Sequence, residues 1–354
     1  MKLSVPFIPD PPYIKFLTKK KSFLESIYFS LPSGPVLDSR LRFSPLDTPS
    51  FISDLTQIKG IKKYVLLNTR FILPDLYNDT CFLHQLLDTL KSLHENCCIK
   101  GIVISDLYLM NALDRTGHDI VPELEVVPGI NSMIDSLEKV LSHLEIIENT
   151  RFKLPEKLIL DRSLNRDPEA LKTTVLSIKS IYPDIKIELL ANEGCLYHCP
   201  FKPAHDAQIA LSNTGVVKES THGINQAVGC HAYFHQYPER FFKSPFIRPE
   251  DLIHYKGIVD TIKICGRTLG SKFLTRCISA YSKKSHPGNL LDLMDATNFL
   301  GSFFYIDNKR LGHDFFKKIT TCTKICKNCR ICHDMFLNSG KKIPVSLKTY
   351  GDYL

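Results

Sequence analysis

The chain has 354 residues, 44% of them apolar and 23% charged, which is material for a sizeable core and not the composition of a disordered segment. Its formal net charge of +8 is spread along the sequence, so it permits contact with anionic metabolites or RNA without signalling nucleic acid by itself. No apolar run is long enough to span a bilayer, and the start MKLSVPFIPDPPYIKF lacks the apolar core of a signal peptide, so a cytoplasmic protein without a membrane span is expected.

In chain order, a proline-rich start leads to residues 27–32, IYFSLP, a β-branched and aromatic run halted by proline that predicts the first strand, with a loop at 33–40. Residues 61–68, IKKYVLLN, predict the second, and the stretch 79–95 carries Leu83, Leu86, Leu87, Leu90 and Leu93 at helical spacing. Residues 98–106, CIKGIVISD, are the near-continuous apolar run of a strand buried on both faces, ending in a carboxylate. A fourth strand is predicted at 123–128, and Asn131 is placed to cap a helix running through Leu144. Residues 157–162, KLILDR, predict the fifth strand, followed by an amphipathic helix over 168–181. The sixth begins at Ile185 and alternates Ile185, Ile187 and Leu189 on one face. Residues 224–234 make a poor seventh strand and 257–264, GIVDTIKI, a good eighth.

Eight strands alternating with helices predict an α/β fold, a (β/α)8 TIM-like barrel over residues 1–300. The weak seventh strand keeps an open doubly wound sheet as the alternative. A helix at 290–300 and a short extended piece at 303–306 lead into a cysteine-rich C-terminal extension, residues 301–354. Barrel active sites lie at the C-terminal ends of the strands. That rule collects Asn68, Asp106, Asn131, Arg162, Asn192, Glu193, Cys195, Cys230, Cys265 and Arg267 on one face.

A reducing cytoplasm would keep the twelve cysteines as thiols and not as a disulfide framework, so metal is the expected outlet. Cys81, Cys97, Cys98 and Cys277 sit in helical or apolar surroundings and read as packing residues. Cys195 and Cys199, in NEGCLYHCP, are four residues apart on a loop with glycine, proline and polar neighbours, a spacing at which two sulfurs can meet one soft metal centre. The most specific signal is CTKICKNCRIC, a C-x3-C-x2-C-x2-C array of Cys322, Cys326, Cys329 and Cys332. Soft thiolates select iron–sulfur clusters or zinc. The tight C-x2-C-x2-C run favours a cluster, because structural zinc more often separates two pairs by a longer loop, and zinc stays the alternative at these four.

The segments ELLANEGCLYHCPF and VDTIKICGR, with the barrel-like strand order, make residues 20–290 resemble the collagenase-like peptidases, peptidase family U32. That family includes oxygen-independent ubiquinone hydroxylation proteins and prephenate-dependent tRNA and rRNA hydroxylation proteins. The resemblance implies a four-iron (4Fe-4S) cluster in the barrel, with Cys195 and Cys199 in the ligand segment and Cys230 as the third ligand. Many relatives carry glutamate where Cys265 stands, which makes Cys265 the candidate fourth ligand, with a tail cysteine or substrate as the alternative. The four-cysteine array at 322–332 is foreign to the better-known members and implies an additional cluster or a branch-specific role.

The leading expectation is an iron–sulfur-dependent enzyme that hydroxylates or otherwise redox-modifies an RNA base or a small aromatic metabolite. Arg162 and Arg267 would hold an anionic substrate through bidentate contacts, with Asp106 and Glu193 as acid–base candidates. An electron-transfer or homologous partner protein is expected beside the substrate. A second expectation is an RNA- or partner-binding scaffold in which the tail cysteines hold zinc and Lys317, Lys318, Lys324, Lys327 and Arg330 meet phosphate. A peptidase is the third: H-E-x-x-H and G-x-S-x-G are both missing, leaving only a thiol enzyme built on Cys195 or Cys199 with His198 or His205.

Overall fold

A computed structural model describes residues 1–40, 46–217 and 221–344. Residues 345–354 of the expected C-terminal extension lie outside the described residues. The frame is eight parallel strands: β1 (Lys2–Pro6), β2 (Leu24–Ser30), β3 (Lys62–Leu67), β4 (Gly101–Ile104), β5 (Glu125–Pro128), β6 (Lys157–Leu160), β7 (Lys186–Leu190) and β8 (Thr261–Lys263). Their order is β5-β4-β3-β2-β1-β8-β7-β6, a nearly closed barrel. Its seam lies between β5 and β6. There β5 pairs with Lys153, just ahead of β6, through Val126 N–H to Lys153 O (3.1 Å) and Lys153 N–H to Leu124 O (2.9 Å).

Helices connect the strands: α1 (Pro11–Lys19), α2 (Thr48–Thr56), α3 (Thr80–Cys97), α4 (Leu107–Arg115), α5 (Leu137–Glu148), α6 (Pro168–Ile181), α7 (Lys202–Asn213), α8 (Thr221–Val228), α9 (Cys230–Gln236) and α10 (Gly270–Lys283). Aspartate or serine oxygens cap six of the first turns, for example Asp79 from Phe82 N–H on α3 and Ser136 from Lys139 N–H on α5. Beyond the barrel come α11 (Phe315–Thr320), α12 (Ile331–Ser339) and an antiparallel pair, β9 (Phe304–Ile306) with β10 (Gly340–Lys342).

The strands alternate in side-chain direction, and that decides both the core and the floor of the site. Outward residues such as Val5, Ile27, Val65, Ile102, Leu158 and Ile187 join the large cluster under the helices. Inward ones, Tyr28, Tyr64, Leu66, Val103, Val127, Ile159 and Leu190, make a separate cluster inside the barrel. Towards the N-terminal ends the interior turns polar. Glu188 lies between Lys157 (3.0 Å) and Lys263 (3.6 Å), and Lys157 also donates to Ser26 Oγ (3.1 Å). The ammonium groups sit over aromatic rings, Lys157 over Tyr64 at 4.3 Å and Lys263 over Tyr28 at 3.8 Å.

Two strand expectations change. The span 224–234 is not a strand but the helical pair α8 and α9, in which Ile224 and Val228 face solvent and Phe234 is buried. The eighth strand is instead β1, hidden in the proline-rich start, where buried Leu3 and Val5 flank an inward Ser4. Asn131 belongs to a short 3-10 turn, Ile130–Ser132, and the helix that follows is capped by Ser136. The expected helix at 290–300 is two 3-10 turns, Leu290–Leu293 and Asn298–Ser302. Cys97 and Cys277 are buried as packing residues, whereas Cys81 and Cys98 are exposed, Cys98 ending α3 with φ at 55°.

Candidate active site

The loop after β7 builds one wall of the barrel mouth. Asn192, wholly buried, donates from Nδ2 to Cys265 O (3.0 Å) and Leu293 O (2.9 Å) and accepts from Cys265 N–H (2.8 Å). One amide thus ties the ends of β7 and β8 together. The segment after Leu293 closes over them, with Asp295 N–H bonded to Asn192 O (2.8 Å) and Ala296 N–H to Glu193 O (2.7 Å). Gly194 makes the turn at φ +78°, where a Cβ would sit 2.4 Å from Thr297 Oγ1. Only glycine is unstrained there.

Behind this loop a cavity of about 100 Å³ opens at the C-terminal ends of the strands. Cys195, Cys199 and Cys265 line it. So do five cations, Arg40, Arg162, Lys202, Lys263 and Arg267, against two carboxylates, Glu193 and Asp206. The cations are held by ion pairs: Arg162 to Glu193, Arg40 to Asp295, Arg267 to Asp38 at 2.5 Å, and Lys202 to Asp206 at 2.7 Å, the last carboxylate also taking Arg70 at 2.9 Å. These pairs fix each guanidinium in direction, and a guanidinium held in this way can meet a carboxylate or phosphate in bidentate fashion.

Burial sets the protonation of the thiols. It pushes Cys195 far up, with Glu193 adding to the shift and Arg162 opposing it, and it raises Cys199. Cys230 is pushed up to about 11, by burial first and then by Cys199. Burial and Asp295 raise Cys265. Burial also brings the Lys263 ammonium down to about 8 against the opposing pull of Glu188, and it lowers His205. Each thiol therefore becomes a thiolate only with a positive partner, and a metal is the strongest one.

Of the expected site residues, the cavity collects Glu193, Arg162, Arg267, Cys195, Cys199 and Cys265. Cys230, the first residue of α9, stands next to Cys199 and directs its S–H at Asn225 Oδ1 (3.7 Å). Cys265 keeps other company: it packs on the interior barrel cluster and donates to Asn192 Oδ1 (3.3 Å), while Cys199 and Cys230 pack on the outer core. Asp106 is not part of the lining. It caps α4 through Tyr108 N–H (3.0 Å) and Leu109 N–H (3.2 Å), accepts from Tyr77 Oη (2.5 Å), and is raised by burial. Cys322, Cys326, Cys329 and Cys332 meet around a second cavity beyond Tyr197 and His198. Among the described residues, no three His, Cys, Asp or Glu side chains converge on a single metal-ion position.

No family model matches the chain. It is 30% identical over 244 residues to the uncharacterized protease MJ1657 of Methanocaldococcus jannaschii, a match spanning 68% of this chain and 66% of that protein. The chain belongs to the U32 peptidase family. A solved structure, that of the U32 peptidase Mk0906, is similar with a TM-score of 0.47 and 12% identity, over 75% of this chain and 94% of the other. In this U32 chain, sequence reasoning missed Asp38, Arg40, Lys202, Lys263 and Asp295. Arg40 and Asp38 sit in the loop after β2 and obey the same strand-end rule that found Asn68. Lys263 was legible too, since alternation along β8 turns it inward with Cys265.

Proposed function

We propose that this U32 chain is an iron–sulfur-dependent enzyme that hydroxylates or otherwise oxidises an anionic substrate, an RNA base or a small aromatic acid, at the barrel mouth. The observation that carries the reading is one cavity lined by three thiols and by arginines held in ion pairs. The donor set is soft and suits iron–sulfur chemistry. Cys195, Cys199 and Cys230 would hold the cluster, with Cys265, a tail cysteine or substrate in the fourth position. When bound, the cluster would supply one-electron chemistry; with water as the oxygen source, the two electrons leaving the substrate would pass to an oxidised electron-transfer or homologous partner protein. The chain's own residues do the rest. Arg162 and Arg267 orient the anionic group, Glu193 exchanges protons beside them, and the segment 293–297 narrows access for water. The reducing cytoplasm is the compartment in which twelve free thiols persist. Among the described residues, no helix is long and apolar enough to cross a membrane.

The relative's name offers a peptidase as the second reading. A thiol peptidase needs a cysteine lowered in pKa by a hydrogen-bonded histidine. Here burial raises Cys195 and Cys199, and among the described residues neither is hydrogen-bonded to His198 or His205. The deciding experiment is mass spectrometry of RNA nucleosides and aromatic acids from cells lacking the gene, complemented with wild type or Cys195→Ser. The proposal expects a product bearing one added oxygen to vanish and return only with wild type. An unchanged inventory, with peptide hydrolysis by the purified protein, would overturn it.

A further inference from the structure

The C-terminal thiols make a site of their own. Cys322, Cys326, Cys329 and Cys332 line a cavity of about 320 Å³ whose other walls include Ile319, Ile325, Ile331 and Met335. Four cations line it, Arg166, Lys243, Lys318 and Lys324, and no carboxylate does. Hard cations find no oxygen donors there, whereas thiolates find charge compensation.

Arg166 gives the independent observation. It is 3% exposed, donates from Nη1 to Phe242 O (2.5 Å) and from Nη2 to Ile319 O (2.6 Å), and points Nη2 at Cys322 Sγ (3.9 Å). Its buried Nε–H has no acceptor, and among the described residues no carboxylate pairs with it. A buried guanidinium without a counter-anion is costly, and a centre carrying four thiolates supplies the missing negative charge. Tyr197, its ring 5.7 Å from Arg166 and 4.2 Å from the His198 ring, lines this cavity, while Cys195 and Cys199 of the same loop line the one at the mouth.

We propose that the four C-terminal thiols hold an iron–sulfur cluster of their own, with Arg166 as its buried hydrogen-bond donor. The C-x2-C-x2-C spacing matches cluster ligation, whereas structural zinc more often separates two cysteine pairs by a longer loop. The site is separate from the one proposed at the mouth, and Cys329 brings its edge to the surface.

The test is full-length protein purified without oxygen and analysed for iron, acid-labile sulfide and zinc, with redox titration followed by electron paramagnetic resonance. Replacing Cys326 and Cys329 with serine should remove about half the iron and leave the barrel folded by circular dichroism, while Cys195→Ser should spare the share bound by the tail. Arg166→Gln should keep the tail iron and lower its reduction potential, because a positive donor that favours the reduced centre is gone. Cys329→Ser alone, at an exposed position, guards against misfolding as the explanation. Unchanged iron in the double variant, or zinc in place of iron at these thiols, would overturn the proposal. Iron lost only with the tail thiols would uphold it while sinking the mouth reading.

Discussion

Arg248, 2% exposed, binds Asp251 through two 2.7 Å hydrogen bonds, lies 4.3 Å over Phe315 and donates to Gly312 O (3.1 Å). The pair fastens the C-terminal segment to the barrel. Asp251→Ala leaves this charge buried and unpaired, so it should cost about 3–5 kcal/mol in urea unfolding. Replacing both with apolar residues of similar volume should recover most of that loss. A second residue reports through pH. Lys100 and Lys62 hold the Glu156 carboxyl down at about 2, at the N-terminal end of the barrel. Its folded pKa lies below the unfolded value of about 4.3, so its stabilisation is present above that value and is lost as pH falls towards 2. Glu156→Gln should flatten the pH dependence of stability in that window, measured by denaturant midpoints from pH 5 to 2. Several such residues were legible in the sequence: Glu193, Arg162 and Arg267 line the mouth as strand-end polar residues should. Their partners were not, because Asp38 and Asp295 lie 229 and 255 residues from the arginines they bind, and only the closed barrel reveals the pairing.

At the scale of elements, the chain's periodicity carried most of the barrel. The helix over α6 and the strands β3 to β8 follow from apolar spacing, and β7 exposes Cys195 and Cys199 at the mouth as its sequence implies. Two strand expectations fail for one physical reason: short segments carry too few residues to separate the two periods. The β1 stretch is five residues closed by a proline, and α8 with α9 are short helices holding aromatic and β-branched residues whose strand propensity does not decide their structure. The loop between β7 and α7 can be probed directly. Gly194→Ala places a Cβ 2.4 Å from Thr297 Oγ1 and 3.2 Å from Met294 Cβ at a positive φ. The substitution should cost about 1–3 kcal/mol and lower the melting temperature. An unchanged melting temperature would show that the loop is not clamped by the segment 293–297.

For the whole molecule, the two groups of cysteines line different cavities, and Tyr197 and His198, on the loop that carries Cys195 and Cys199, line the C-terminal one. The C-terminal segment is part of the same hydrophobic core as the barrel, through Phe304, Ile306, Phe315 and Ile319. Its thiols are therefore held against the barrel. In the proposed function the residue types at the mouth, buried thiols among paired arginines, serve as an anion-binding surface joined to soft metal ligands in one cavity. The most direct test of that claim is the iron and acid-labile sulfide bound, without oxygen, by protein whose Cys326 and Cys329 are already serine. The account predicts that iron and sulfide remain in this variant and disappear when Cys195, Cys199 or Cys230 is also replaced by serine. Iron and sulfide that persist through all three replacements, or zinc alone in their place, would contradict it.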